Sequence, residues 1–374
     1  MARIVVKVGT STLTHANGRL NFLQMERLVR QVSDLSNMEH EVVLVSSGAV
    51  GAGVSKLGLK KRPDSVSEKQ AVAAVGQGLL MQVYEKLFSE YGQTTAQVLL
   101  TRADLMQRER YLNARHALQK LLDFRVIPVI NENDTVAVDE LCFGDNDRLS
   151  ALVAALVDAD MLIILSDVDG LYSKDPNKYA DARIVPEVTC IDERLLQAAG
   201  DSISGVGTGG MITKLQAAQT AMACGITTYL TNGKIEDVIR RIVAGEEIGT
   251  RFVPQKQKIM GKKRWLAFYQ KPQGRIKIDP GAQQALVVHG KSLLPSGVIG
   301  VEGEFSQGDL VLVVDETGNE VGRGLVNYHG EEVAKIMGLR TDQLSKVLEH
   351  AYYDEVIHRD NLVIVPGVNA NKPS

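Results

Sequence analysis

Two lysines in this chain stand where lysine is costly. Lys7 sits among the apolar residues of MARIVVKVGTS, and Lys214 falls in the first turn of the helix that follows the glycine-rich GVGTGG. A helix N-terminus already carries about half a positive charge, so a lysine there needs a strongly negative partner. An ammonium within a buried strand likewise requires a partner, unless it reaches water from a sheet edge. Gly205 and Gly210 have the spacing of a Walker loop, but Met211 stands where that loop needs lysine and Ile212 where it needs Ser or Thr. With the P-loop excluded, what remains is a run of main-chain amides, the Thr208 and Thr213 hydroxyls, and Lys214. All are donors, and the simplest negative partner for them is a phosphate.

Three other stretches carry polar residues at the ends of apolar runs. VLVSSGAVGAG closes with Ser46, Ser47 and Gly48, and its glycines would let backbone N–H groups approach an anion. Its G-x-x-G-x-G order is the reverse of the dinucleotide fingerprint, which argues against NAD. VIPVINENDTVAVDELCFGDNDRLSA places Asn131 to Asp134 after one strand and Asp145-Asn146-Asp147 at the start of a helix. One such carboxylate is an ordinary cap, but two dense clusters around one connection suit a polar substrate held by Asp134 and Asn146, with Asp147 orienting a lysine. In MLIILSDVDG, Ser166 and Asp167 could meet a sugar or a base, although DVDG is also a good turn.

The elements that must position these residues follow from periodicity. RIVVKV, EVVLVSS, TTAQVLL, RVIPVIN, DMLIILSD and GITTYLTN are near-continuous apolar strands, alternating with helical stretches such as QMERLVRQVSDL and RYLNARHALQKLL. Such strands are covered by helices on both faces, which predicts a three-layer α/β/α sandwich with a mostly parallel sheet over residues 1–255. After the lysine-rich GTRFVPQKQKIMGKKRW, short runs such as RIKI, LVLVV and EVGRGLV are separated by DPG, SG and TGN turns. They predict a small β-rich domain with one or two short helices. In an open α/β sheet, ligands bind at the carboxyl ends of strands, which is where all the residues singled out above fall.

Composition narrows the class. The 374 residues are 44% hydrophobic with a net charge of -3, which gives no reason to expect nucleic-acid binding. The three cysteines form no close pair and the seven histidines no metal-ligand pair, so neither a disulfide framework nor a metal site is predicted. No segment reads as a signal peptide or a membrane span, and the expected setting is cytoplasmic. Two distant lysines, two glycine-rich turns and a carboxylate cluster suit phosphoryl transfer, where the work is positioning and charge neutralisation. A carboxylate acceptor, ionised at neutral pH, would need no general base.

KVGTS, SSGAVGAG, PVINENDTVA, GDNDRLSA, a strand ending in SD and GTGGMITK, in this order, resemble the amino-acid kinase family. They are most similar to its members that phosphorylate the side-chain carboxylate of glutamate with ATP, the first committed step towards proline. The resemblance spans essentially the whole chain, and the tail, over 262–365, resembles the small barrel of the PUA domain found in many bacterial members. It implies Lys214 on the transferring group, Lys7 on the ATP phosphates and Asp147 holding both lysines. It further implies Ser47, Asp134 and Asn146 on glutamate, and Ser166, Asp167 and the loop Thr208, Gly209, Gly210, Met211, Ile212, Thr213 and Lys214 on ATP. Thr is commoner in the family at the position of Ser166, and the hydroxyl is retained. Mg2+ accompanying ATP, feedback inhibition by proline and a homo-oligomer are implied as well. An RNA-binding role through the PUA-like tail is the competing expectation, disfavoured by a single Trp and no aromatic stacking series.

Overall fold

The computed structural model describes residues 1–15, 18–61, 63–137, 146–174, 176, 178–179, 181–192, 195, 210–254, 272–348 and 353–364. Two compact units divide the chain, Met1–Lys258 and Ile259–Ser374.

In the first unit, the strands are β1 (Arg3–Val8), β2 (Glu41–Val45), β3 (Thr95–Leu100), β4 (Ile127–Glu132), β5 (Met161–Ser166), β6 (Glu187–Val188), β7 (Thr227–Asn232) and β8 (Thr250–Phe252). They form one sheet in the order β3-β4-β2-β1-β5-β7-β8-β6. Every neighbouring pair is parallel except β7 with β8. All six strands named from the sequence are present.

The helices of this unit are α1 (Thr10–Leu13), α2 (Phe22–Asn37), α3 (Ala49–Leu57), α4 (Val66–Glu90), α5 (Arg102–Met106), α6 (Arg108–Asp123), α7 (Asn146–Leu156), α8 (Met211–Ala223) and α9 (Val238–Val243). Met25, Leu28, Val29, Val32 and Leu35, placed on one face of α2 by helical spacing, are all buried. They share one core with Ile4, Val6 and Val8 of β1, Leu80, Tyr84 and Phe88 of α4, and Ile239 and Ile242 of α9. Since side chains alternate along a strand, Lys7 faces the opposite side of the sheet, where it meets α7. That face is covered by α7, α8 and α6, which gives the three layers. Helix α4 is less plain from its residues alone, because its buried face includes Ala73, Gly76 and Gln77 beside the large apolar residues. It is launched by a capping box, in which Ser65 Oγ accepts from Glu68 N–H and the Glu68 carboxylate accepts from Ser65 N–H, each at 3.3 Å.

Helices α3 and α4 pack backbone against backbone. A Cβ on Gly53 would overlap the Val72 carbonyl, and one on Gly76 would overlap the Ala49 carbonyl. The glycines of GAVGAG therefore divide their duties: Gly48 begins α3 in the left-handed region at φ 97°, whereas Gly53 is there for close packing.

The second unit has β9 (Gly274–Ile278), β10 (Val298–Glu302), β11 (Leu310–Val314), β12 (Glu320–Leu325) and β13 (Leu362–Ile364), in the sheet order β10-β9-β11-β12-β13. The strands surround their own core of Ile276, Val311, Val313, Val321, Val333 and Ile357 with α10 (Pro280–Val287) and α11 (Gly330–Ile336) alongside. Among the described residues no helix is long and apolar enough to cross a membrane.

Candidate active site

One buried carboxylate stands between the two anomalous lysines. Lys7 Nζ lies 2.5 Å from Asp147 Oδ1, and Lys214 Nζ lies 3.1 Å from Asp147 Oδ2. Thr213 Oγ1 is 3.0 Å from the same Oδ2. Asp147 is fully buried, Lys7 is 3% exposed and Lys214 8% exposed. Three elements converge to make this contact. β1 lies between β2 and β5 at the middle of the sheet, with Lys7 opposite Val45 and Ile164. α7 brings Asp147 in its first turn and α8 brings Lys214 in its own.

Two ammoniums share this carboxylate, and the N-terminal end of α8 adds its partial positive charge beside them. Buried donors gathered in this way favour the arrival of an anion. Gly9 closes the cluster from above: its N–H donates to the Leu165 carbonyl at 3.3 Å, and a Cβ there would lie 3.6 Å from Lys7 Nζ. Gly210 caps α8 in an extended conformation, with Met211 half-buried and Ile212 37% exposed. Thr208 and Gly209 lie outside the described residues.

Beside this cluster lies a neutral, directional one. Asn146, next to Asp147 at the start of α7, donates from Nδ2 to the Ser46 carbonyl (2.6 Å), to Asn131 Oδ1 (2.8 Å) and to Ser47 Oγ (3.0 Å). Ser46 Oγ lies 2.9 Å from the hydroxyl of Tyr84, which burial pushes above the ordinary tyrosine range. Asp134, just beyond β4, has no ion-pair partner among the described residues, and burial pushes its carboxyl up to about 6. The structure therefore brings Ser47 and Asn146 into contact with each other, and Lys7, Asp147, Thr213 and Lys214 into a second group. Sequence reasoning did not single out Asn131 as a ligand of Asn146, nor Tyr84 or Gln77 behind it.

At the end of β5, Ser166 is buried and its Oγ lies 3.1 Å from the exposed Asp167 Oδ1. Ser166 O accepts from Gly233 N–H at 2.9 Å, which ties this strand end to the one after β7. Among the described residues, no group of three or more His, Cys, Asp or Glu is placed to hold a metal ion.

Carboxyl strand ends on a mostly parallel sheet, two buried ammoniums on one carboxylate and an adjacent amide cluster together make a phosphotransferase-type site. The chain belongs to the amino acid kinase family, whose profile matches residues 2–232, and the PUA domain profile matches residues 274–348. Its relatives over nearly the full length are glutamate 5-kinases. The one from Caldanaerobacter subterraneus is 56% identical over 97% of this chain and 98% of its own length. Those from Moorella thermoacetica and Nostoc punctiforme are 52% and 50% identical, each over 97% of this chain and over 96% and 99% of their own lengths. Among solved structures, carbamate kinase from Giardia lamblia bound to AMP-PNP aligns with a TM-score of 0.50 at 16% identity, covering 68% of this chain and 99% of that one. It shares the fold.

Proposed function

We propose that this protein transfers the γ-phosphoryl group of ATP to the side-chain carboxylate of L-glutamate, yielding L-glutamyl 5-phosphate and ADP for proline biosynthesis. The relatives' shared name supports the substrate. The observation that carries the chemistry is the Lys7–Asp147–Lys214 cluster, which gathers two buried ammoniums on one carboxylate. One oxygen of the glutamate side chain attacks the γ-phosphorus, and the bond from that phosphorus to the β,γ-bridging oxygen breaks. No proton is transferred, because the acceptor is already ionised. Negative charge spreads over the transferring oxygens and the departing ADP, and fixed cations there are preorganised to stabilise it. Lys214 serves the transferring group and Lys7 the ATP phosphates, while Asp147 keeps both ammoniums in register.

Ser47, Asn146 and Asp134 hold glutamate, Asp134 pairing with its α-ammonium. A carboxyl pushed up to about 6 by burial is a group short of a cation, and the ammonium supplies one. Ser166 and Asp167, with the loop from Thr208 to Lys214, hold the nucleotide. Mg2+ would enter with the ATP phosphates and help to neutralise their charge. We assign both substrate sites to residues 1–255 and the PUA-like domain to 262–365. Feedback inhibition by proline, self-association and a cytoplasmic setting complete the reading and rest on the family resemblance.

The test is ATP-dependent acyl phosphate formation trapped with hydroxylamine. Glutamyl hydroxamate is the expected product; its absence, with product from N-acetylglutamate or carbamate instead, would reassign the acceptor.

A further inference from the structure

Gln77 lies on the buried face of α4, is 9% exposed, and belongs to none of the groups that would touch ATP or glutamate. Its side chain is nonetheless joined to the amide cluster. Asn131 Nδ2 donates to Gln77 Oε1 at 2.8 Å, and Asn131 Oδ1 accepts both from Glu132 N–H at 2.9 Å and from Asn146 Nδ2 at 2.8 Å.

The orientations in this chain are forced. A backbone N–H can only donate, so the Asn131 atom facing Glu132 N must be the oxygen, and its NH2 then points at Gln77. The Gln77 atom that meets it must be an acceptor, Oε1. At the other end, the Ser46 carbonyl can only accept, so the Asn146 atom facing it is the NH2 group. Both Asn146 hydrogens are thereby engaged by protein acceptors, and only its Oδ1 is left to meet a ligand. A lone acceptor of this kind suits an ammonium, the one donor of an amino-acid substrate, and repels its carboxylates.

This order has a cost that locates its origin. With Oε1 committed to Asn131, Gln77 Nε2 is buried without a hydrogen-bond partner among the described residues. A buried donor left without a protein partner is unfavourable, so the direction of the Gln77–Asn131 contact is not set by the needs of Gln77 itself. The same helix returns to the cluster seven residues on, where Tyr84 meets Ser46. The close approach at Gly76 and Gly53 is what sets α4 against α3 at this depth.

We propose that Gln77 is a positioning residue for the amino-acid substrate: through Asn131 it fixes the Asn146 amide with its carbonyl oxygen presented to the substrate ammonium. The inference rests on the glutamate reading given above. Gln77→Met keeps the volume and removes both polar atoms; Gln77→Glu keeps volume and an acceptor towards Asn131.

In the full chain, Gln77→Met is expected to raise KM for glutamate about three- to tenfold, the equivalent of one buried hydrogen bond. KM for ATP and kcat stay within about twofold, and the melting temperature changes little, since loss of the unpartnered Nε2 offsets loss of the acceptor for Asn131 Nδ2. Gln77→Glu is expected to keep KM for glutamate within about twofold of the wild type, as the acceptor is retained. An unchanged glutamate KM in Gln77→Met, or equal rises in both KM values, overturns the proposal. So does a large rise in Gln77→Glu, which would make the Nε2 group a direct substrate contact; this arm holds even where the Met variant does not fold. A wild-type protein that forms no glutamyl hydroxamate overturns the glutamate reading and the proposal together, whereas an active wild type beside an unaffected Met variant overturns the proposal alone.

Discussion

The two halves of the site are built on opposite electrostatic plans. Around Asp147 the groups are charged, buried and close, with two ammoniums on one carboxylate. Around Asn146, a few ångströms along the same helix, the contacts are neutral amides, hydroxyls and carbonyls. In the proposed reading the charged half takes phosphate. The neutral half has fixed hydrogen-bond directions, and beyond the end of β4 Asp134 has a carboxyl that burial raises to about 6. On that reading rate depends on charge at one end, and selection of the substrate on hydrogen-bond direction at the other.

Breaking the charged half should have the largest effect. Lys214→Met is expected to lower kcat about 10³-fold, a loss typical of removing a preorganised charge from a transition state, with KM for glutamate nearly unchanged. Steady-state hydroxamate assays on a protein with a native melting curve would check this, and a kcat within tenfold of the wild type would collapse the contrast. Asp147→Asn should combine a comparable loss of rate with a loss of about 3–5 kcal/mol of stability, because two ammoniums are left facing each other in a buried site. Urea denaturation at low and high salt would measure the second part.

The neutral half should fail in binding instead. Asp134→Asn is expected to raise KM for glutamate about 100-fold with a much smaller change in kcat, as one partner of a charge pair is removed. In the wild type, kcat/KM for glutamate should fall as pH drops through about 6, where Asp134 becomes protonated, and the variant should lack that limb. Stability moves the other way. A carboxyl whose folded pKa lies above its unfolded value stabilises the fold most at low pH, and that contribution is lost as pH rises through about 6. At pH 7 Asp134→Asn should therefore melt higher than the wild type, while at pH 4 the gain should shrink. The mildest of these losses of activity is expected from Gly76→Ala. Its methyl group would lie 1.7 Å from the Ala49 carbonyl oxygen, so α4 must move off α3, costing about 3 kcal/mol of stability or more and weakening glutamate more than ATP.

The two halves were also unequally legible in the sequence. The charged half announces itself through misfits: a lysine in an apolar strand, another in a helix's first turn and a dense acidic connection. Each of these is anomalous on local grounds, so Lys7, Lys214 and Asp147 could be named before any contact was known. The strands and the α2 face were equally plain, because periodicity is local. The neutral half is made by long-range contacts between residues that are individually ordinary. Gln77 reads as one more polar residue in an alanine- and glycine-rich helix, and Asn131 as the end of a strand. Only the sheet order, which sets β4 beside β2, brings Asn131, Asn146 and Ser47 to one point. Gly53 was misleading for the same reason: a glycine after a strand suggests an anion, but here its neighbour is the backbone of α4.

The most direct test is a crystal structure with ADP, Mg2+, glutamate and a planar metal-fluoride mimic of the transferring phosphoryl group. The Nζ atoms of Lys7 and Lys214 should both reach oxygens or fluorines of the nucleotide and the mimic, with Asp147 still between them. Phosphates bound with either ammonium turned away, or with Asp147 released from both, would contradict a site whose work is done by two ammoniums held on one carboxylate.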